Sequence, residues 1–243
     1  MASLKTPKGI IYFKQKQLFP GCHIIDRRIA FDNLCLINSV ISKTNIKWGV
    51  AFGTLLGIYR DGDFIEWDED TDLYILKEEE NMFLMVLWDL IEVGFELIRY
   101  ERAGLYSIMR KGEYIDFYVL NKVSDDLRFT SDGCFIFEKF IKEDTVLDFK
   151  GIDLRIPQNV EEYLSLEYGD WQKPVRYYSP KVGFLKHMFH IAYSYFRLYA
   201  PDFLYYYWIK SLRSADLEKY KQKCQKRGYS IDANLKIDFG EVV

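Results

Sequence analysis

The hydrophobic positions of this chain change period several times, and each change marks an element. Between Asp26 and Asn45 the residues Ile29, Leu34, Ile37, Val40 and Ile41 recur at helical spacing with polar residues opposite, so an amphipathic helix is expected there. The next run, Ile46 to Phe52 (IKWGVAF), is short and apolar and leads into Gly53-Thr54, where a second helical pattern (TLLGIYR) begins. That order predicts strand, tight turn, helix. DGDFIEWDED reads as a loop, and Thr71 to Leu76 alternates as a strand does. EEENMFLMVLWDLIEVG then starts a third helix, with acids in its first turn where they complement the helix dipole and with Gly94 as its cap.

Three runs rich in aromatic and β-branched residues follow, FELIRY, LYSIMR and EYIDFYVL, the last two separated by Lys111-Gly112. They predict an antiparallel extension of the sheet. A hairpin is expected around Phe149-Lys150-Gly151-Ile152, then Pro157 and a short helix from Val160 to Tyr168. From Ser179 onward helical periodicity dominates, with Ser179-Pro180 as an N-cap and first-turn pair and Pro201 as a break before Pro201 to Lys226. The expected fold class is α/β (α+β), with a body over residues 1–178 and a C-terminal helical segment, 179–243, packed on it.

Composition narrows the function classes. The chain has 243 residues, 49% hydrophobic and 17% aromatic, which excludes disordered, collagen-like and coiled-coil readings. A net charge of −3 gives no general reason to bind a polyanion, so no nucleic-acid partner is expected. Cys22, Cys35, Cys134 and Cys224 are widely separated, which signals neither a zinc knuckle nor a disulfide framework and fits a reducing cytosol. No signal peptide or membrane-spanning run is expected, because the most apolar stretch, Gly183 to Trp208, is broken by charges and by Pro201.

The chemistry concentrates in GTLLGIYRDGDFIEWDEDTDLYIL, Gly53 to Leu76. Asp68, Asp70 and Asp72 are spaced two apart at the entry of a predicted strand, where alternate residues share a face. Carboxylates so placed repel one another unless a cation lies between them, and Mg²⁺ characteristically takes one or two carboxylates plus substrate phosphates. Asp116 stands in another predicted strand on one face with Tyr114 and Tyr118, where an isolated acid needs a partner. The competing reading is a solvated acidic turn. Against it, the Gly53-Thr54 turn offers backbone N–H groups at a helix N-terminus and Arg60 offers a bidentate phosphate donor. Together these describe metal-assisted phosphoryl transfer.

FGTLLGIYRDGDFIEWDEDTDL resembles the signature of the LicD family, and FKGIDLRIPQNVEEYLSLEYGDWQKPV, about 80 residues downstream, is similar to a second block of that family. The family includes bacterial phosphocholine transferases and the animal fukutin and fukutin-related proteins. The resemblance implies a nucleotidyltransferase-like mixed sheet flanked by helices. It also implies an enzyme of the phosphotransferase class that moves a phospho-alcohol, phosphocholine favoured, from a CDP-linked donor such as CDP-choline to a sugar hydroxyl, with Mg²⁺ or Mn²⁺, releasing CMP. Residue by residue, it makes Gly53 and Thr54 the phosphate-contacting turn and Asp70 and Asp72 the metal pair. Asp68 matches the first acid of the triplet, and Asp116 either completes the metal site or accepts the acceptor's proton. Asp61 and Glu66 depart from the family pattern and bear on loop shape and substrate choice.

The alternatives are transfer of ribitol or glycerol phosphate or of phosphoethanolamine, nucleotidyl transfer to an acceptor, and a silent nucleotidyltransferase-like scaffold. Trp67 and Trp171 lie inside the two motifs and are the aromatic residues assigned to ligand contact, ahead of Trp48, Tyr106, Tyr177 and Tyr178. His187 and His190, three apart on a predicted helix, read as ordinary packing. The aromatic run Phe203 to Trp208 and the basic residues Lys219, Lys221, Lys223, Lys226 and Arg227 offer a peripheral membrane contact, with a core helix and solvated end as the simpler reading. The expected setting is the bacterial cytoplasm or the inner face of the membrane, with a glycan or glycolipid acceptor of capsule, lipopolysaccharide or teichoic acid.

Overall fold

The computed structural model describes residues 1–18, 23–143, 145–176 and 184–238. It opens with a hairpin, β1 (Ala2–Thr6) and β2 (Gly9–Phe13), that the pattern analysis did not anticipate. Its signal is visible in retrospect: Pro7-Lys8-Gly9 is turn chemistry, and Leu4, Ile11 and Phe13 alternate inward to the core. Helix α1 (Arg27–Ile41) is capped by the Asp26 carboxylate, which accepts from the N–H groups of Arg28 and Ile29 at 3.0 and 3.1 Å. It stops four residues short of the predicted Asn45.

Next come β3 (Trp48–Val50), α2 (Phe52–Asp61), β4 (Thr71–Leu76) and, after one 3-10 turn, α3 (Glu80–Glu92), with Gly94 at φ +98° just beyond its end. Then β5 (Glu96–Glu101), β6 (Leu105–Arg110) and β7 (Glu113–Lys122) form an antiparallel meander. The turn between β6 and β7 uses Lys111 and Gly112, both at positive φ, as a two-residue hairpin connection of this twist requires. The main sheet has the order β3-β4-β7-β6-β5. The meander therefore joins through its last strand: β7 pairs with β4 in parallel, and every other pairing is antiparallel. The result is a mixed sheet flanked by helices.

Short strands β8 (Leu127–Phe129) and β9 (Phe135–Phe137) extend β7, and β10 (Thr145–Phe149) with β11 (Ile152–Ile156) makes the expected hairpin. Helix α4 (Val160–Tyr168) falls on its predicted span. One face of the main sheet carries Leu73, Ile75, Ile115, Phe117 and Ile108 into the core, where Phe83 of α3 meets Phe117 at 4.7 Å and Tyr106 at 5.4 Å between ring centroids. The opposite face carries the polar residues described below.

Helices α5 (Phe184–Tyr199) and α6 (Asp202–Lys226) meet at Pro201. Leu217, Tyr220 and Cys224 of α6 join the main core, and Tyr205 and Ile209 pack with Ala103 in a smaller cluster. The elbow is held by Arg102, which donates to the carbonyls of Arg197 and Ala200 at 3.0 and 2.7 Å and lies 4.0 Å from the Tyr205 ring centroid. Arg197 pairs with buried Glu101 at 2.5 Å. The predicted boundary at 178/179 and the Ser179-Pro180 cap lie outside the described residues, as do Tyr177 and Tyr178 and the side chains of His187 and His190. Among the described residues no helix is long and apolar enough to cross a membrane, and Cys35, Cys134 and Cys224 are free thiols.

Candidate active site

The strand register assembles a polar row. β4 sets Asp72 opposite Asp116 of β7, β6 sets Ser107 opposite Asp116, and β5 sets Arg99 opposite Ser107. Residues paired in this way share one face of a sheet. The last member depends on an irregularity: between Leu97 and Arg99 the β5–β6 register shifts by one residue, so Arg99 takes the place across from Ser107 that Ile98 would otherwise occupy. Arg99 Nε donates to Ser107 Oγ at 2.8 Å, and its guanidinium forms an ion pair with Asp116 Oδ2. Asp116 is 1% exposed, and its Oδ1 has no hydrogen-bond partner among the described residues.

The acids are fixed from the other side by the turn between β3 and α2. Phe52 opens α2 at φ +42°, a sharp elbow for a residue with a side chain, and its ring stands edge-on to Tyr118 at 5.1 Å. The Gly53 N–H donates to Asp72 Oδ2 at 3.1 Å, and the Asp72 N–H donates to Thr54 Oγ1 at 2.8 Å. A Cβ on Gly53 would stand 2.7 Å from Asp68 Oδ2 and 3.4 Å from Asp72 Oδ2. Two carboxylates therefore converge on a site that only glycine leaves open. The Gly53 amide, expected at a phosphate, is spent on Asp72.

Above the row lies a cavity of about 490 Å³. Gly53, Arg60, Trp67, Asp68, Asp70, Asp116 and Trp171, all identified from the sequence, line it together, while buried Asp72 accepts from the lining Gly53 N–H and donates its own N–H to buried Thr54. Trp48 and Tyr106 are core residues that do not line it, and the Tyr106 hydroxyl donates to Glu80 at 2.8 Å. Lining residues that sequence reasoning missed include Glu69, Arg99, Tyr168, Asp170 and Lys173; Tyr114 and Tyr118 also line it, and their period-two spacing with Asp116 was the available signal. Arg60, expected as a phosphate donor, gives Nε and one terminal nitrogen to Asp61 at 2.8 and 2.7 Å and the other to the Trp171 carbonyl at 3.3 Å. It ties the end of α2 to the loop after α4. Of the basic residues at the end of the chain's last helix, Lys219, Lys221 and Lys223 pair with Asp216, Glu218 and Glu167, and Arg227, just beyond α6, donates to the carbonyls of Ser165 and Leu166.

The electrostatics are those of crowded acids. Burial pushes the Asp68 carboxyl up to about 6. Asp70 and Asp72 are also raised well above the ordinary carboxylate value, by burial and by the neighbouring carboxylates. Asp116 is also raised by burial, with Arg99 opposing. Of these four acids, Asp116 is the one paired with Arg99. Among the described residues no three His, Cys, Asp or Glu side chains form a ready-made metal cage. The donor set instead suits a hard cation that takes one or two carboxylates and completes its shell with phosphate oxygens and water, which fits Mg²⁺ or Mn²⁺. The orphaned Asp116 Oδ1 is a further oxygen facing the same need.

Residues 45–159 match the model of the family described as LicD/FKTN/FKRP, nucleotidyltransferase domain. An uncharacterised protein of Rickettsia prowazekii (strain Madrid E) is 27% identical over 150 residues, 59% of this chain and 55% of its own. One from Rickettsia typhi is 26% identical over 162 residues, 64% of this chain and 48% of its own. The chain thus spans about half the length of these curated relatives. Among solved structures, the antibiotic-resistance factor ANT(2″)-Ia in solution is 15% identical with a TM-score of 0.41, covering 83% of this chain and 98% of that one. Its crystal structure with adenylyl-2″-tobramycin is 16% identical with a TM-score of 0.39, covering 78% and 99%.

Proposed function

Residues 45–159 form a nucleotidyltransferase domain of the LicD/FKTN/FKRP family, and from that premise we propose that the protein transfers phosphocholine from CDP-choline to a sugar hydroxyl of a cell-surface glycan. The observation that carries the reading is the convergence of Asp68, Asp70 and Asp116 on one cavity, with Asp72 set opposite Asp116 by the β4–β7 register and Arg99 paired to Asp116. A silent scaffold has no use for so costly a cluster. Asp70 and Asp72 would hold Mg²⁺ or Mn²⁺, with Asp116 Oδ1 at their side. Bound there, the cation supplies charge neutralisation at the donor diphosphate.

The chain's own residues do the rest. The acceptor hydroxyl attacks the phosphorus that carries choline, the bond from that phosphorus to the bridging oxygen breaks, and CMP leaves with the electron pair. Asp68, a carboxylate that lines the cavity, takes the acceptor's proton. Asp116, tied to Arg99, is the poorer base. Trp67, Tyr114, Tyr118, Tyr168 and Trp171 around an acid-rich cavity favour a quaternary ammonium over a polyol, which needs a ring of hydrogen-bond partners. The reading places the reaction in the cytoplasm, where a glycan or glycolipid acceptor meets the donor at the inner face of the membrane.

The test is a thermal-shift panel of CDP-choline, CDP-ethanolamine, CDP-glycerol and CDP-ribitol with Mg²⁺, followed by product analysis with the best donor. CDP-choline is expected to raise the melting temperature most, and free CMP to accumulate. A larger shift with a polyol donor would transfer the reading to that alcohol, and labelled nucleotide on the acceptor would replace it with nucleotidyl transfer.

A further inference from the structure

A nucleoside diphosphate entering this cavity brings negative charge to an acid-rich site, and the described residues offer three lining cations, Arg60, Arg99 and Lys173. Two are committed. Arg60 has given its guanidinium to Asp61 and the Trp171 carbonyl, with its side chain 8% exposed. Arg99 is held by Ser107 and Asp116, and withdrawing it would strand a buried carboxylate.

Lys173 differs. Its side chain is 79% exposed, and its ion-pair partner is Asp170, itself 58% exposed and three residues away. An exposed pair of this kind contributes little and exchanges readily. The backbone beneath it is anchored: the Lys173 N–H donates to the Asp170 carbonyl at 3.2 Å, Trp171 Nε1 donates to Ser165 Oγ at 3.2 Å, and the Trp171 ring rests 5.7 Å from that of Tyr59. A long flexible cation therefore stands on a fixed platform at the cavity wall.

We propose that Lys173 is the residue that binds the phosphates of the nucleotide donor, exchanging Asp170 for a phosphate oxygen as the donor enters. Asp170 then acts as the holding partner of the empty site. This rests on the reading of the cavity as a nucleotide-diphosphate site. Arg176, whose guanidinium lies 5.9 Å from the Trp67 ring centroid, is a nearby cation that does not line the cavity and serves as the control.

The experiment is calorimetric binding of CDP with Mg²⁺ and of cytidine to the whole chain and to Lys173→Gln, Lys173→Arg, Asp170→Asn and Arg176→Gln, each first checked for an unchanged melting temperature. Lys173→Gln is expected to weaken CDP about tenfold, the size of a lost charge-assisted hydrogen bond, and to leave cytidine unaffected. Lys173→Arg should retain most of the affinity, and Asp170→Asn should tighten CDP by freeing the lysine. Equal CDP affinity in Lys173→Gln and the unaltered chain would overturn the assignment while the nucleotide reading stands. Equal weakening by Arg176→Gln would reduce it to a general rim-charge effect and overturn it too. Failure of the unaltered chain to bind CDP at all would remove the nucleotide reading itself.

Discussion

The amide of Gly53 and the Oδ2 of Asp72 are joined by a 3.1 Å hydrogen bond, and Asp72 returns the contact through its own N–H to Thr54 Oγ1 at 2.8 Å. The first turn of α2 and the first residues of β4 thus hold each other in place, and the acids inherit that order. Gly53 has no room for a side chain, since Asp68 Oδ2 would lie 2.7 Å from its Cβ. Gly53→Ala gains helix propensity, about 1 kcal/mol at an unhindered helical position, but here it must displace the Asp68 carboxylate. The expected outcome is a melting temperature within a few degrees of the original and a loss of Mg²⁺-dependent turnover of at least about tenfold, since a misplaced catalytic group is costly. Circular dichroism melts and initial-rate assays would check both.

Burial raises the carboxyls of Asp68, Asp70 and Asp72, the first to about 6, and repulsion from the neighbouring aspartates adds to the rise of Asp70 and Asp72. Each holds its proton more tightly folded than unfolded, so the folded state binds more protons above the unfolded value of 3.8. Stability without metal should therefore fall as pH rises from about 4 through 6 and beyond. Asp72→Asn keeps the acceptor for the Gly53 N–H and removes one charge. It should raise the metal-free melting temperature at pH 7.5, flatten its decline with pH, and abolish transfer. Melts from pH 5 to 8 with and without Mg²⁺ test this, and a lower melting temperature for the variant at pH 7.5 would contradict the repulsion.

Much of this site was legible because the acids lie in one contiguous run, and period-two alternation already placed Asp116 beside Tyr114 and Tyr118. What the sequence hid was pairing. Nothing local says that β7 rather than β5 meets β4, or that the pair is parallel, yet that register brings Asp72 to Asp116. Arg99 was hidden by the register shift after Leu97, because regular alternation through FELIRY gives no reason to set it across from Ser107. Arg60 read as a free phosphate donor because its bidentate partner, Asp61, is simply the next residue. Strands of three residues, such as β8 and β9, are too short to show a period.

Away from the cavity, Arg128 of β8 is 2% exposed and reaches Glu78 at 2.7 and 3.0 Å, Glu138, and the Leu120 carbonyl at 3.1 Å. Its hydrogen bonds hold the Glu78 carboxyl down to about 2 from an ordinary 4.5. The stability this supplies is complete above the unfolded value and is lost as pH falls toward 2. Both acids are partly exposed, so Arg128→Met should cost about 1–2 kcal/mol at pH 7, below the figure for a buried pair. The deficit should shrink at pH 3, and CDP binding should be unchanged. Denaturant melts at the two pH values measure it.

Arg99 and Asp116 should behave as a unit. Asp116 is 1% exposed and Arg99 is its cation, so Arg99→Met leaves a buried carboxylate with no counter-charge, at a cost of about 3–5 kcal/mol when such a pair is broken from one side. Asp116→Asn retains an acceptor for Arg99 and removes a charge that burial disfavours, so its own cost should be smaller. The decisive measurement is the double variant. With both charges gone, nothing buried is left unpaired, and Arg99→Met/Asp116→Asn should be more stable than Arg99→Met alone. Strict additivity of the two single effects would show that Arg99 stabilises the sheet through its packing and its bond to Ser107 rather than through the acid.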